Sequence, residues 1–69
     1  MGFDKVSVAL MNFEVAALKL AAAFEEVDEG KLNEYISDGY PFSKSYNEVS
    51  YEIDEWCRAS RIRIKEDVL

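Results

Sequence analysis

Histidine is missing altogether, and cysteine, tryptophan and proline occur once each in 69 residues. Each shortage closes off a class of chemistry. Without an imidazole, Ser–His and Cys–His nucleophilic pairs cannot form, and Cys57 by itself cannot assemble the three or four ligands of a structural zinc site. A lone thiol also rules out an internal disulfide. The three glycines, Gly2, Gly30 and Gly39, are scattered, so no glycine-rich loop exists to cradle a phosphate. Carboxylates are plentiful, but so short a chain has little interior in which burial would raise their pKa for acid–base work. No catalytic residue, no metal ligand and no cofactor is therefore expected.

Positive charge is also scarce. Eight Lys and Arg face fourteen Asp and Glu, a net of −6, and an acidic protein is repelled by nucleic acid and by anionic membranes alike. The excess is local. Residues 25–55 hold ten acids against Lys31 and Lys44, while Arg58, Arg61, Arg63 and Lys65 outnumber Glu66 and Asp67 in the tail. Long apolar runs are absent: Asn12, Glu14 and Lys19 interrupt the N-terminal stretch, and no charged leader precedes it. Neither a membrane span nor a secretory signal is expected. The unpaired thiol of Cys57 fits a reducing compartment, which makes the cytoplasm the expected location.

What is present is helical periodicity. Phe3, Val6, Leu10, Phe13, Ala17, Leu20, Phe24 and Val27 recur in alternating steps of three and four, a heptad seam. Ala9, Ala16 and Ala23 flank it, small enough to let a second helix approach. Val8, Met11, Val15 and Leu18 fall outside the seam, so the helix is apolar around most of its circumference and needs more than one neighbour. This first helix is expected over about residues 3–29, ended by Gly30 as the left-handed residue past its C-terminus. Glu25, Glu26, Asp28 and Glu29 would then crowd that end, where carboxylates oppose the helix dipole.

A connection over about residues 31–44 follows. Leu32, Tyr35 and Ile36 suit a short helix closed by Gly39, and Pro41 holds Tyr40 extended in Tyr40-Pro41-Phe42. Ser45 and Glu48 form a Ser-x-x-Glu capping box, worth about 1 kcal/mol, that opens a second long helix over about residues 45–67. Its apolar face reads Val49, Ile53, Trp56, Cys57, Ser60, Ile64 and Val68. The expected fold class is all-α: a two-helix hairpin with a short connecting helix, one domain over 1–69. A chain this short buries only about 60% of its unfolded surface. With disulfide and metal excluded, a second copy is the remaining support. A homodimer in a four-helix arrangement is expected, with Phe3, Val6, Leu10, Phe13, Ala17, Leu20, Phe24, Val49, Ile53 and Trp56 supplying core and dimer contacts.

Aromatic rings concentrate at the connection: Tyr35, Tyr40, Phe42, Tyr46 and Tyr51. Such rings dominate interface hot spots, and proline lowers the entropy cost of presenting them. Tyr35, Tyr40, Phe42 and Tyr46, with the acids Glu25, Glu26, Asp28 and Glu29, are the expected partner-binding residues. The expected activity is non-enzymatic: binding and sequestering a cytoplasmic protein. The alternatives are an acidic DNA mimic, an anti-CRISPR-type inhibitor, an antitoxin or immunity protein, and a self-assembling structural subunit.

A 69-residue acidic chain with two long helices, no catalytic group and a dimerising seam resembles the small host-takeover inhibitors of bacteriophages. In length and plan it is similar to the anti-quorum-sensing family of Pseudomonas temperate phages. The resemblance implies a host protein as partner, a LuxR-type transcription activator or a pilus assembly ATPase, in the host cytoplasm. It assigns no binding residue.

Overall fold

The computed structural model describes the backbone of residues 2–68 and is all-helical among them: α1 (Gly2–Glu25), α2 (Glu29–Ile36) and α3 (Tyr46–Val68). The Val68 side chain, assigned above to an apolar face, lies outside the described residues. α1 packs along α3 in the opposite direction: Asp4 and Ser7 share a cleft with Ile62 and Lys65, Glu14 pairs with Arg61, and Phe24 stacks on Tyr46. The molecule is elongated, 48 × 21 × 17 Å.

The line of α1 that faces α3 is Ser7, Leu10, Glu14, Ala17, Ala21 and Phe24, each buried or half-buried. It keeps the expected three–four spacing but is turned from the expected seam, sharing only Leu10, Ala17 and Phe24 with it. On α3 the matching line is Tyr46, Val49, Ser50, Ile53, Cys57, Ser60, Arg61 and Ile64. Small residues on both sides, Ala17, Ala21, Ser50, Cys57 and Ser60, let the backbones approach but bury little apolar surface. The buried apolar side chains are Ala17, Val49 and Cys57 alone among the described residues, and of these Cys57 is fully buried.

As contacts within one chain, five of the expected core residues are corrected. Phe3, Val6, Phe13, Leu20 and Trp56 are 44–59% exposed. Val8, Met11, Val15 and Leu18, on the other flank of α1, are exposed too. A single α3 covers only one stripe of a helix that is apolar over most of its circumference. By length and composition α1 also qualifies as a membrane-crossing helix, against the expectation drawn from Asn12, Glu14 and Lys19. Glu14 is held by Arg61 at 2.5 Å and Arg58 at 3.6 Å, both on α3, so immersing α1 alone would break these pairs.

The helix boundary near Gly30 is a second correction. α1 stops at Glu25, and α2 begins at Glu29 with Gly30 inside it. Asp28 caps α2, its carboxylate accepting a hydrogen bond from the Lys31 N–H at 3.1 Å. Asp28 and Glu29 therefore stand at a helix N-terminus, where the dipole favours them, and only Glu25 and Glu26 crowd a C-terminus. Gly39 does adopt a left-handed conformation, φ 78°, and turns the chain out of α2 as expected. At the start of α3 the Glu48 N–H donates to the Ser45 hydroxyl at 3.5 Å.

Candidate functional site

α2 packs against α1 and leaves a gap on the α3 side. That gap is an open groove of about 580 Å³. Its walls are Ala21, Phe24 and Val27 from α1 and the turn after it, Leu32 and Ile36 from α2, and Tyr40 and Tyr46 from the connection and α3. Leu32 and Ile36 are one helical turn apart, so both side chains reach the same side of α2. Glu25, Glu29 and Asn33, all exposed, line it too.

The aromatic rings form a chain that fixes the far wall. Phe24 meets Tyr46 edge-on at 5.3 Å, Tyr46 meets Phe42 at 6.4 Å, and Phe42 meets Tyr40 edge-on at 5.2 Å. The Tyr46 hydroxyl donates to the Ala17 carbonyl on α1 at 3.1 Å. Burial, and then the neighbouring Tyr40, push the Tyr46 phenol above its ordinary value. The Tyr40 hydroxyl donates to the Lys44 carbonyl at 2.7 Å. Lys44 pairs with Glu52 of α3; that hydrogen bond and the Glu52 charge push its ammonium up, against burial. The connection is thus closed on itself by Tyr40 and tied to α3 by Lys44, which helps to preorganise the wall.

Four of the eight expected partner-binding residues meet in this groove: Tyr40, Tyr46, Glu25 and Glu29. Tyr35 lies elsewhere, 78% exposed on α2. Phe42 opens on a separate shallow cleft with Lys44, Val49, Glu52, Ile53 and Trp56. Glu26 is exposed beyond the groove, and Asp28 is occupied as the α2 cap. The apolar wall of Val27, Leu32 and Ile36 was not expected. Its signal in sequence was the Leu32–Ile36 spacing, which alone does not say what the face looks towards.

Between α1 and α3 lies an ionic cluster. Burial raises the Glu14 carboxyl, but contact with Asp54, a hydrogen bond from Arg61 and the charges of Arg61 and Arg58 outweigh it and hold Glu14 below its ordinary value. Arg58 also pairs with Asp54 at 3.0 Å. Burial is the first cause that pushes the Cys57 thiol up, which disfavours the thiolate. Among the described residues no group of three His, Cys, Asp or Glu is placed to hold a metal ion.

The two ends of the molecule differ in charge. Glu25, Glu26, Asp28 and Glu29 ring the end bearing the groove. At the other end a cleft is lined by Arg58, Arg61 and Lys65 with Asp4, Ser7, Ile62 and Ile64. An apolar groove with carboxylates in its lining suits an apolar segment flanked by cations. Compared with known proteins, the chain matches no family model, no curated protein and no solved structure.

Proposed function

We propose that the protein is a non-enzymatic binding protein, a helical hairpin whose groove between α2 and α3 captures an amphipathic segment of another protein. The segment presents apolar side chains to Phe24, Leu32, Ile36 and Tyr46 and Lys or Arg to Glu25 and Glu29. The observation that carries this reading is the groove itself: about 580 Å³, lined by apolar and aromatic side chains together with the carboxylates of Glu25 and Glu29. That volume falls within the range of preformed sites that take a few side chains. Capture would sequester the partner. Resemblance in length and plan to phage host-takeover inhibitors supports a cytoplasmic host protein as the partner, a LuxR-type activator or pilus assembly ATPase being the candidates. Two hairpins are proposed to associate as a four-helix homodimer.

The test is an affinity pull-down from bacterial lysate, Pseudomonas included, with wild type, Leu32→Lys, the Glu25→Gln/Glu29→Gln pair, and Tyr35→Ala as a control outside the groove. The reading requires a stoichiometric protein that survives Tyr35→Ala, disappears with Leu32→Lys and weakens with the amides. A partner indifferent to Leu32→Lys but released steeply by salt would replace it with charge mimicry of nucleic acid. Absence of any partner would count against binding altogether.

A further inference from the structure

We infer that a second copy of this chain docks on α1 in antiparallel orientation, the ridge Val6, Phe13, Leu20 of each copy seating over Ala23, Ala16 and Ala9 of the other. This rests on the dimeric reading above and specifies its face, direction and register.

The surface left over is large enough. A compact protein of 7.9 kDa exposes about 4,400 Å², whereas this chain exposes 5645 Å². The excess of roughly 1,200 Å² exceeds the ~800 Å² that each partner of an ordinary stable complex buries. The radius of gyration agrees, 14.8 Å against about 11 Å for a compact domain of this length. One more layer of helices laid alongside would cover the excess surface and widen a molecule that is long for its girth.

The side of the molecule follows from helical geometry. Val6, Phe13 and Leu20 recur every seven residues on the flank of α1 next to the α3 contact, and are 46, 49 and 44% exposed. On antiparallel helices the corresponding flank of α3 carries Val49 and Trp56, and Trp56 is 56% exposed. α1 and α3 thus present a largely apolar face together, with the exposed Lys44–Glu52 pair beside Trp56 at its margin, where it can stay in water. On the opposite flank Val8, Met11, Val15 and Leu18 stand beside Asp54 and Arg58, a charged neighbour that a dry interface would have to desolvate.

Direction follows from shape and charge. A two-fold axis running between the two α1 helices, level with the Glu14–Val15 step, brings Val6 opposite Ala23, Phe13 opposite Ala16 and Leu20 opposite Ala9, large over small at every level. Parallel α1 helices would instead set Phe13 against Phe13 and alanine against alanine, leaving clashes and voids. The antiparallel pair also lays the acidic end, Glu25 to Glu29, of one copy beside the other copy's end bearing Lys5, Arg61, Arg63 and Lys65. The parallel arrangement stacks acid on acid along a molecule 48 Å long. In the antiparallel dimer the two grooves lie at opposite ends, so one dimer engages two segments.

Disulfide trapping tests this. Cys57 is fully buried, so wild type serves as the uncrosslinked control. Val6→Cys and Ala23→Cys proteins, mixed and oxidised, should form a disulfide between the two variants, while Val6→Cys alone should not, because its two copies stand about 25 Å apart at 1.5 Å per residue. Leu20→Cys mixed with Ala9→Cys should repeat the result should either first variant fold poorly. Light scattering gives the mass and Trp56 emission reports the face: Phe13→Glu should keep its helicity, raise the dimer dissociation constant by on the order of 100-fold, and shift Trp56 emission to the red. A dimer that is strengthened by salt and traps Val6→Cys with itself overturns the orientation alone. A wild type that is monomeric at every concentration overturns both the inference and the dimeric reading.

Discussion

Tyr46 joins all three parts of the molecule, so removing its pieces one at a time separates what each contributes. Tyr46→Phe deletes the hydroxyl that donates to the Ala17 carbonyl at 3.1 Å and keeps the ring. One hydrogen bond of this kind is worth about 1 kcal/mol. Tyr46→Ala also removes the ring, with its edge-on contact to Phe24 at 5.3 Å and its tilted contact to Phe42 at 6.4 Å. Each aromatic pair adds about 1 kcal/mol, and burial of half the ring roughly 1 kcal/mol more. The expected cost is therefore about 4 kcal/mol, a large part of the ~3–10 kcal/mol available to a chain of this size. The assay is thermal unfolding followed by far-ultraviolet circular dichroism at one fixed protein concentration, since any self-association makes the midpoint concentration-dependent. Tyr46→Phe should lower the midpoint by roughly 4–8 °C, and Tyr46→Ala should leave a largely unfolded protein at the same temperature. Because the fold raises the Tyr46 pKa, this contribution is present below the ordinary phenol value and lost as pH rises through the folded one. Tyr46→Phe should abolish that alkaline loss. Equal midpoints for the two variants, or a Tyr46→Ala cost under about 1 kcal/mol, would refute the assignment of Tyr46 as the joint.

Two further predictions separate the local from the tertiary. Gly30 and Gly39 should respond to alanine with opposite signs in urea unfolding. Gly30 lies inside α2, where an added Cβ meets only the Asp28 carboxylate at 3.4 Å, so Gly30→Ala should stabilise by about 0.5 kcal/mol. Gly39 holds φ 78°, and Gly39→Ala should cost about 1 kcal/mol; the same sign at both positions would contradict the boundary drawn between them. The Glu14 carboxyl is held below its ordinary 4.5 despite burial, by Asp54, Arg61 and Arg58, so its stabilising share exists above that value and is lost as pH falls through the folded one. Urea midpoints measured from neutral pH down to pH 3 should show this acid loss in wild type and a shallower loss in Glu14→Gln; parallel curves would place Glu14 outside the interface.

The helices themselves are legible in the amino-acid order because their signals are local. The three–four spacing from Phe3 to Phe24, the Ser45–Glu48 cap and the left-handed turn at Gly39 each act within a few residues; α3 and the turn after α2 stand where those signals put them, and α1 starts where expected but stops at Glu25, four residues early. The acidic stretch and the aromatic connection were visible for the same reason. What only the packing decided is which of several apolar faces is used. α1 carries apolar residues on most sides, so sequence spacing offered Phe13 and Leu20 as readily as Ala21. The line that is used carries small buried or half-buried residues on both helices, Ala17 and Ala21 on α1 and Ser50 and Cys57 on α3, and the pairing of Glu14 with Arg61, 47 residues away in the chain. Gly30 shows the same limit from the other direction. A glycine after an acidic run reads as a helix stop, but Asp28 offered its carboxylate to the Lys31 N–H and began α2 there instead. The groove is likewise a product of α2 leaning on α1 and away from α3, a distance between elements that no local pattern encodes.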